Sequence, residues 1–304
     1  MLSSITSCQN HSILYLRSFP LHLSSTKQLD MPEISEVRIM SEFINNVASK
    51  VDYFVGISKN PEHKSKTNLN VPFEHFQLKA FSRGKELMLR FTGPDFSYGE
   101  TEAKNLVFTM GMSGNWNYSK DIFSIPKHTH LTIVDCDGGV LGMHDVRRFA
   151  RWDWRSWNPE RGHDPVQETE LFKKEILENL MKDKIFQKPI YEVMMNQKYF
   201  NGVGNYLRAE ILGRIDLDPR LSAGDYIIQA GEKFFNMTEK IIVESYILGG
   251  GQFKDWYNQA DLEKKKSKEF QAWMQFYFNK ERCEPIKDKH DRNFWMDKKW
   301  INDK

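Results

Sequence analysis

Pro32, Glu33 and Glu36 form the tightest group of residues in this chain whose types could do chemistry together. Inside a chain, a proline nitrogen is a tertiary amide with a delocalised lone pair, and it is inert. At a chain terminus it becomes a secondary amine. Free α-amines titrate near pH ~7.7–8.0, so a useful fraction is neutral and nucleophilic at pH 7. Such an amine can attack a sugar C1′ and proceed through a Schiff base. The neighbouring carboxylates suit acid–base work beside it. A plainer reading stands next to this one, because Met-Pro-Glu ahead of a helix is also an ordinary helix start.

The second group is Asn201-Gly202-Val203-Gly204-Asn205-Tyr206-Leu207-Arg208-Ala209-Glu210-Ile211-Leu212. Glycines near a helix N-terminus let the backbone approach a ligand closely. The free N–H groups at that end favour a phosphate, and Asn205 can add a side-chain amide. A tight turn between packed helices would use the same glycines.

These groups need elements to hold them. Val37, Met40, Phe43, Ile44, Val47 and Ala48 recur at three- and four-residue steps and predict a helix behind Pro32, with Ser35 as its N-cap. Short strands are predicted over 53–58, 76–82, 86–92, 106–112, 130–135 and 140–146, with turns at Arg83-Gly84, Ser113-Gly114 and Asp137-Gly138 between them. Six strands in this arrangement predict an antiparallel sandwich or barrel. After about residue 158 the texture becomes helical: 167–182, 189–196, 202–214 and a long helix over 225–246, followed by a glycine-rich break at 248–251. Lys264-Lys265-Lys266 reads as a solvated face. The last stretch predicts a helix entry around Trp273 and a two-stranded hairpin with Asp291-Arg292 near its tip.

A length of 304 residues suits two domains, and 40% hydrophobic with 28% charged residues is ordinary globular composition. The net charge of +2 permits a polyanionic partner without demanding one. No run of about 18 apolar residues is present to span a membrane. Cys8, Cys136 and Cys283 are far apart and fit a reducing compartment. Residues 1–30 carry Arg17 and Lys27 but no acidic residue before Asp30. They suit an upstream start, an organelle-targeting segment or a structural arm. Either of the first two leaves Pro32 free after processing.

Taken together, these motifs resemble the Fpg/Nei (formamidopyrimidine and endonuclease VIII) DNA glycosylases. Met31-Pro32-Glu33, Arg83-Gly84-Lys85, Gly111-Met112-Ser113-Gly114, Asp145-Val146-Arg147-Arg148-Phe149 and the 201–212 segment follow that family's order, the last resembling its helix–two-turn–helix. Val71-Pro72-Phe73 and Gln271-Ala272-Trp273 are similar to the animal endonuclease VIII-like one subgroup. The resemblance covers residues 31–304. It implies that Pro32 is the nucleophile, Glu33 the carboxylate assisting protonation and ring opening of the sugar, and Lys85 a phosphate-binding lysine needed for catalysis. It implies that Met112, Arg147 and Phe149 fill the void left by a flipped nucleotide, that His128 and Asn205 contact phosphate, and that Arg292 is the essential arginine of the terminal hairpin. Base extrusion loses a few kcal/mol of stacking, which apolar or planar side chains in the gap partly recover.

Departures accompany the resemblance. Cys283 and His290 alone cannot build a four-ligand zinc finger, so a zincless finger is expected and no cofactor. Ser35 replaces a common proline. Gly251-Gln252 stand where the subgroup has a basic residue facing the lesion, which leaves lesion preference open.

The expectation is an α+β protein: an extension over 1–31, an antiparallel β-sandwich with a flanking helix over 32–157, a helix–two-turn–helix domain over 165–260 and a zincless-finger hairpin over 261–304. The implied function is a bifunctional DNA glycosylase and abasic-site lyase acting on oxidised bases, mainly pyrimidines, by β,δ-elimination. The expected partner is damaged DNA, with no membrane, from a monomer in the nucleus, or in the mitochondrion if 1–30 directs it there. Two rivals are a non-catalytic damaged-DNA-binding protein with a blocked N-terminus and an RNA-binding protein.

Overall fold

The computed structural model describes residues 32–93, 103–250 and 267–302. The extension 1–31, Gly251-Gln252 and Lys264-Lys265-Lys266 lie outside the described residues. The apolar face of the first helix, α1 (Ile34–Ala48), is buried as its periodicity predicts. Its N-cap, however, is Glu33 rather than Ser35. Ser35 sits inside the first turn, fully buried, where its hydroxyl donates to the Ile242 carbonyl (3.2 Å) and meets the Ser245 hydroxyl. A buried hydroxyl at a helix crossing must find a partner there.

Eight strands follow in two four-stranded antiparallel sheets, ordered β1-β6-β7-β5 and β2-β3-β4-β8. They are β1 (Phe54–Lys59), β2 (Gln77–Arg83), β3 (Glu86–Thr92), β4 (Ala103–Thr109), β5 (Asn115–Ser119), β6 (Thr129–Asp135), β7 (Val140–His144) and β8 (Arg151–Trp154). Phe91, Leu106 and Phe108 from one sheet and Trp116, Leu131 and Ile133 from the other share one core with α1. Asn45 of α1 pins edge strand β2 by accepting from the Ala80 N–H (2.7 Å) and donating to its carbonyl (2.9 Å). Two strands were not foreseen: β5 and β8 are short and polar, and they exist because β7 and β4 offer them ladders. Two others end early. β4 stops at Thr109 and β7 at His144, which frees Met112 and residues 145–149 as adjoining loops.

The second core is helical. It gathers α2 (Thr169–Asn179), the single turn α3 (Ile190–Val193), α4 (Asn205–Ile215), α5 (Ala223–Ala230), α6 (Glu232–Ile247) and α7 (Ser267–Trp273), together with the hairpin β9 (Cys283–Lys287) and β10 (Asn293–Asp297) and a final turn α8 (Lys298–Asn302). The single helix expected over 225–246 is two helices broken at Gly231, whose φ of +55° is a left-handed conformation open to glycine. The break folds Tyr226 onto Phe234, ring centroids 6.3 Å apart.

The connecting segment clamps the two cores. Buried Glu86 accepts from Arg155 (2.6 Å), and Arg83 pairs with Glu168 (2.8 Å). Asp164, wholly buried, accepts from the backbone N–H groups of Gly84 (2.8 Å), Val166 (2.9 Å) and Gln167 (2.9 Å). It therefore fastens the Gly84-Lys85 turn to the start of the helical domain. Truncating one partner strands buried donors at about 1–3 kcal/mol each. Asp164→Ala is expected to lose about 2–3 kcal/mol of stability, read as a lower urea midpoint with an unchanged slope.

Candidate active site and nucleic-acid cleft

Helix α4 begins with free backbone N–H groups, and the sequence supplies an acceptor from the far end of the chain. The Glu33 carboxylate accepts from Gly204 (2.6 Å), Tyr206 (3.0 Å) and Leu207 (3.3 Å). Gly204 is required by this approach: a Cβ there would lie 2.4 Å from the Glu33 carboxyl carbon and 2.7 Å from the Lys85 ammonium. Lys85 donates to the Val203 carbonyl (2.9 Å), on the same turn. Glu36 accepts from the Glu33 N–H (2.8 Å) and from the Tyr206 hydroxyl (3.0 Å). Pro32, Glu33 and Glu36 are all buried, the two carboxylates against α4.

Burial dominates the proton chemistry here. It pushes the Glu33 carboxyl up to about 7, reinforced by Glu36 and opposed by Lys85 and the α4 N–H groups. It brings the Lys85 ammonium down to about 8, opposed by Glu33. Desolvation penalises the charged form of each. A proton can thus move on or off this pair near neutral pH, as acid–base catalysis requires.

A cavity of about 300 Å³ opens above Glu33, lined also by Met112, Asn205, Tyr277, Phe278 and Arg292. The Asn205 Oδ1 atom is buried there without a partner. Arg292 is aimed by Asp288, which accepts from its Nε (2.9 Å) and backbone N–H (3.1 Å) and from the His290 N–H (2.9 Å). Asp288 also accepts from Arg208 of α4 (3.0 Å), and both of these side chains are wholly buried. Burial alone would raise the Asp288 carboxyl, but these donors hold it down at about 2. Glu210, two residues along α4, accepts from the N–H groups of Gln275 (3.0 Å), Phe276 (2.9 Å) and Tyr277 (2.9 Å). Arg208 and Glu210 thereby seat the terminal hairpin on α4.

Met112 is tied to the other two void-filling candidates. Ser113 donates to the buried Asp145 carboxylate and accepts from the Arg147 N–H (3.1 Å), while Asp145 accepts from the Ala150 N–H (2.7 Å). Arg147 and Phe149 are exposed at this tip, the guanidinium lying over the ring at 5.5 Å. His128 stands behind the loop, its carbonyl accepting from the Asp145 N–H (3.0 Å).

The structure thus joins Glu33, Asn205, Met112 and Arg292 in one cavity, with Lys85 beside Glu33 and Pro32 preceding it in the chain. It ties Arg147, Phe149 and His128 to the neighbouring loop through Ser113 and Asp145. Sequence reasoning did not single out Tyr206, Arg208, Glu210, Asp288 or Asp145. Asp288 four residues before Arg292 carries an Asx-turn signal; Arg208 within a helix carries none. Cys283 packs in the core, its thiol pushed up to about 12 by burial. Among the described residues no group of three or more His, Cys, Asp or Glu could hold a metal ion.

The fold and site define an interdomain cleft lined by a buried carboxylate and an arginine, with a lysine beside the carboxylate. Residues 31–152 match the formamidopyrimidine-DNA glycosylase N-terminal domain family. Human endonuclease 8-like 1 is 32% identical over 299 residues, covering 88% of this chain and 72% of that protein. Mouse endonuclease 8-like 1 is 37% identical over a shorter match, 62% of this chain and 49% of the relative. The solved complex of Lactococcus lactis formamidopyrimidine glycosylase with Fapy-dG-containing DNA shares the fold, with a TM-score of 0.71 at 20% identity over 88% of this chain and 99% of that one. The chain belongs to the Fpg/Nei family of DNA glycosylases.

Two outcomes follow from the site. Glu33 is a candidate acid, and Pro32 is nucleophilic only as a neutral amine. Single-turnover base excision is therefore expected to rise as the amine deprotonates toward pH ~7.7–8.0. It should fall as Glu33 loses its proton above about 7 and Lys85 its charge above about 8, giving a bell with its maximum between those limbs. In Glu33→Gln, which cannot titrate, a slower rate should lack the decline near 7. Asp288, with its lowered value, holds its partners fully above pH ~4 and releases them only as pH falls toward about 2. It adds no pH dependence in the assay range. Asp288→Asn leaves Arg208 buried without its counter-charge and should cost roughly 3–5 kcal/mol, with excision slowed at temperatures well below the melt.

Proposed function

We propose that this chain excises oxidised bases, mainly pyrimidines, using Pro32 as a free secondary amine. As a member of the Fpg/Nei family, the chain is a DNA glycosylase of base excision repair with abasic-site lyase activity. The amine nitrogen bonds to C1′, the glycosidic bond breaks, and the base departs with a proton. Glu33 assists by protonating and opening the sugar ring, and a Schiff base remains. β-Elimination then releases the 3′ phosphate, δ-elimination the 5′ phosphate, and the strand is cut.

The observation that carries this reading is Glu33 itself. It is 3% exposed, follows Pro32 directly, and forms the floor of the cavity that also holds Asn205 and Arg292. A carboxyl raised to about 7 at that point can donate a proton at neutral pH. Arg292 keeps both terminal nitrogens free of Asp288, which engages Nε, so its fork can grip a phosphate. The active species begins at Pro32, since an acylated proline has no lone pair to give. It acts as a monomer on damaged DNA in the nucleus, or in the mitochondrion if residues 1–30 serve as a transit segment.

The test is borohydride trapping on an oligonucleotide carrying one oxidised pyrimidine. Protein beginning at Pro32 is expected to form a covalent adduct, and protein retaining residues 1–31 to form none. Arg292→Ala should slow excision roughly 10–100-fold, the worth of a charged hydrogen bond, and slow cleavage of a preformed abasic site less. Adduct formation by the extended protein, or wild-type excision by Arg292→Ala, would refute these roles. Tight damaged-duplex binding without any adduct would favour a non-catalytic binder instead.

A further inference from the structure

A second concave surface lies on the other side of the 145–149 loop. It encloses about 500 Å³, with residues 63–67 on one wall and 148–153 on the other. The first wall is built firmly. The His63 ring stacks on Trp152 at 4.1 Å, the Thr67 hydroxyl donates to the Trp152 carbonyl (2.9 Å), and Lys59 donates to the carbonyls of His63 (3.3 Å) and Ser65 (2.8 Å). Along this extended segment His63 is buried, Lys64 exposed, Ser65 half-buried and Lys66 exposed. That alternation sets two ammonium groups on one side. Opposite them stand Arg148 and Arg151, both exposed. Among the described residues none of these four cations is held in an ion pair, and Asp153 is the one carboxylate in the lining. Arg148 keeps a left-handed φ of +56°, its N–H donating to the Asp145 carbonyl (3.2 Å). Such conformations are costly for a side-chain-bearing residue and gather at functional sites.

Phe149 lines this groove, whereas Met112 lines the catalytic cavity. The Ser113–Asp145 hydrogen bond joins the two loops into one partition between the two surfaces. A duplex carries an anionic backbone on each strand. If the damaged strand enters the catalytic cavity, the strand across the partition meets the groove. We propose that Lys64, Lys66, Arg148 and Arg151 bind the phosphate backbone of the strand opposite the damaged nucleotide. This rests on the glycosylase reading above. Four unpaired cations gathered in one groove repel one another until an anion arrives. Phosphates held there orient the duplex without reading its sequence.

The test measures binding of a lesion duplex and of the same lesion in a single strand, between 50 and 200 mM salt, by wild type and by the Lys64→Ala/Lys66→Ala double variant. Both lysines are exposed, and a thermal melt checks that the variant is folded. For the duplex, the slope of log K against log salt should become shallower by roughly 1–2, at about 0.9 per phosphate released. Affinity near physiological salt should drop roughly 3–30-fold for two exposed cations. The single strand should be bound as tightly as by wild type, and Lys64→Glu/Lys66→Glu should deepen the duplex loss. An unchanged duplex slope overturns the assignment. Equal losses on duplex and single strand overturn it as well, by moving the groove to the damaged strand. The binding measurements do not require turnover, so failure of the excision reading shows separately, as absence of wild-type product.

Discussion

The contact on which the rest of the structure depends is the Glu33 carboxylate seated on the N-terminus of α4. One residue after the candidate nucleophile, it spans 171 positions of sequence to satisfy N–H groups that a helix start leaves unpaired. The same contact joins the two cores, with Pro32 one residue before it in the chain. Its requirements propagate: Gly204 must lack a Cβ, Ser35 must bury its hydroxyl against α6, and Lys85 must share the dry space. Burial penalises both charges, raising the carboxyl and lowering the ammonium toward each other. The structural join and the proton chemistry are therefore one feature.

Helix α4 carries this constraint to the far end of the molecule. Arg208 and Glu210 are both wholly buried; Arg208 reaches the turn of the terminal hairpin through Asp288, and Glu210 the segment that leads into it. Buried charges are weak evidence for stability, because desolvation offsets much of their attraction. Their worth here is geometric. Asp288 takes one donor from α4 and three from its own turn, so the Arg292 side chain is held at Nε beside the cavity it lines. A hairpin held by apolar packing alone would keep its place without fixing the direction of its tip.

Another buried carboxylate, Asp145, does the same for the partition. It binds the Met112 loop to the 145–149 loop, so three side chains from two segments advance as one wedge. Phe149 stays 50% exposed and Val146 54%, which leaves apolar surface in water. Under the proposed function, stacking within a duplex opened by base extrusion would recover that area. On the outer side of the wedge, Lys64, Lys66, Arg148 and Arg151 share a groove whose lining holds one carboxylate, Asp153.

Much of this protein was legible in its sequence, for reasons of short range. Helix α1 shows in a three-to-four periodicity, strand β3 in a run bounded by turn residues, and the hairpin in alternation around Asp291-Arg292. The chemistry of Pro32 and the phosphate preference of the 201–212 turn also follow from residue type and local spacing. What tertiary structure decided is which partners those residues meet. Ser35 looked like a cap and became a buried crossing contact; 225–246 looked continuous and broke at Gly231. Strands β5 and β8 exist only because a neighbour offers a ladder. Nothing near Glu33 in sequence shows that it will cap α4, and nothing near Arg208 shows that it will aim Arg292 through Asp288. Periodicity and turn chemistry act over a few residues, whereas desolvation and the pairing of buried charge depend on groups brought together from opposite ends of the chain.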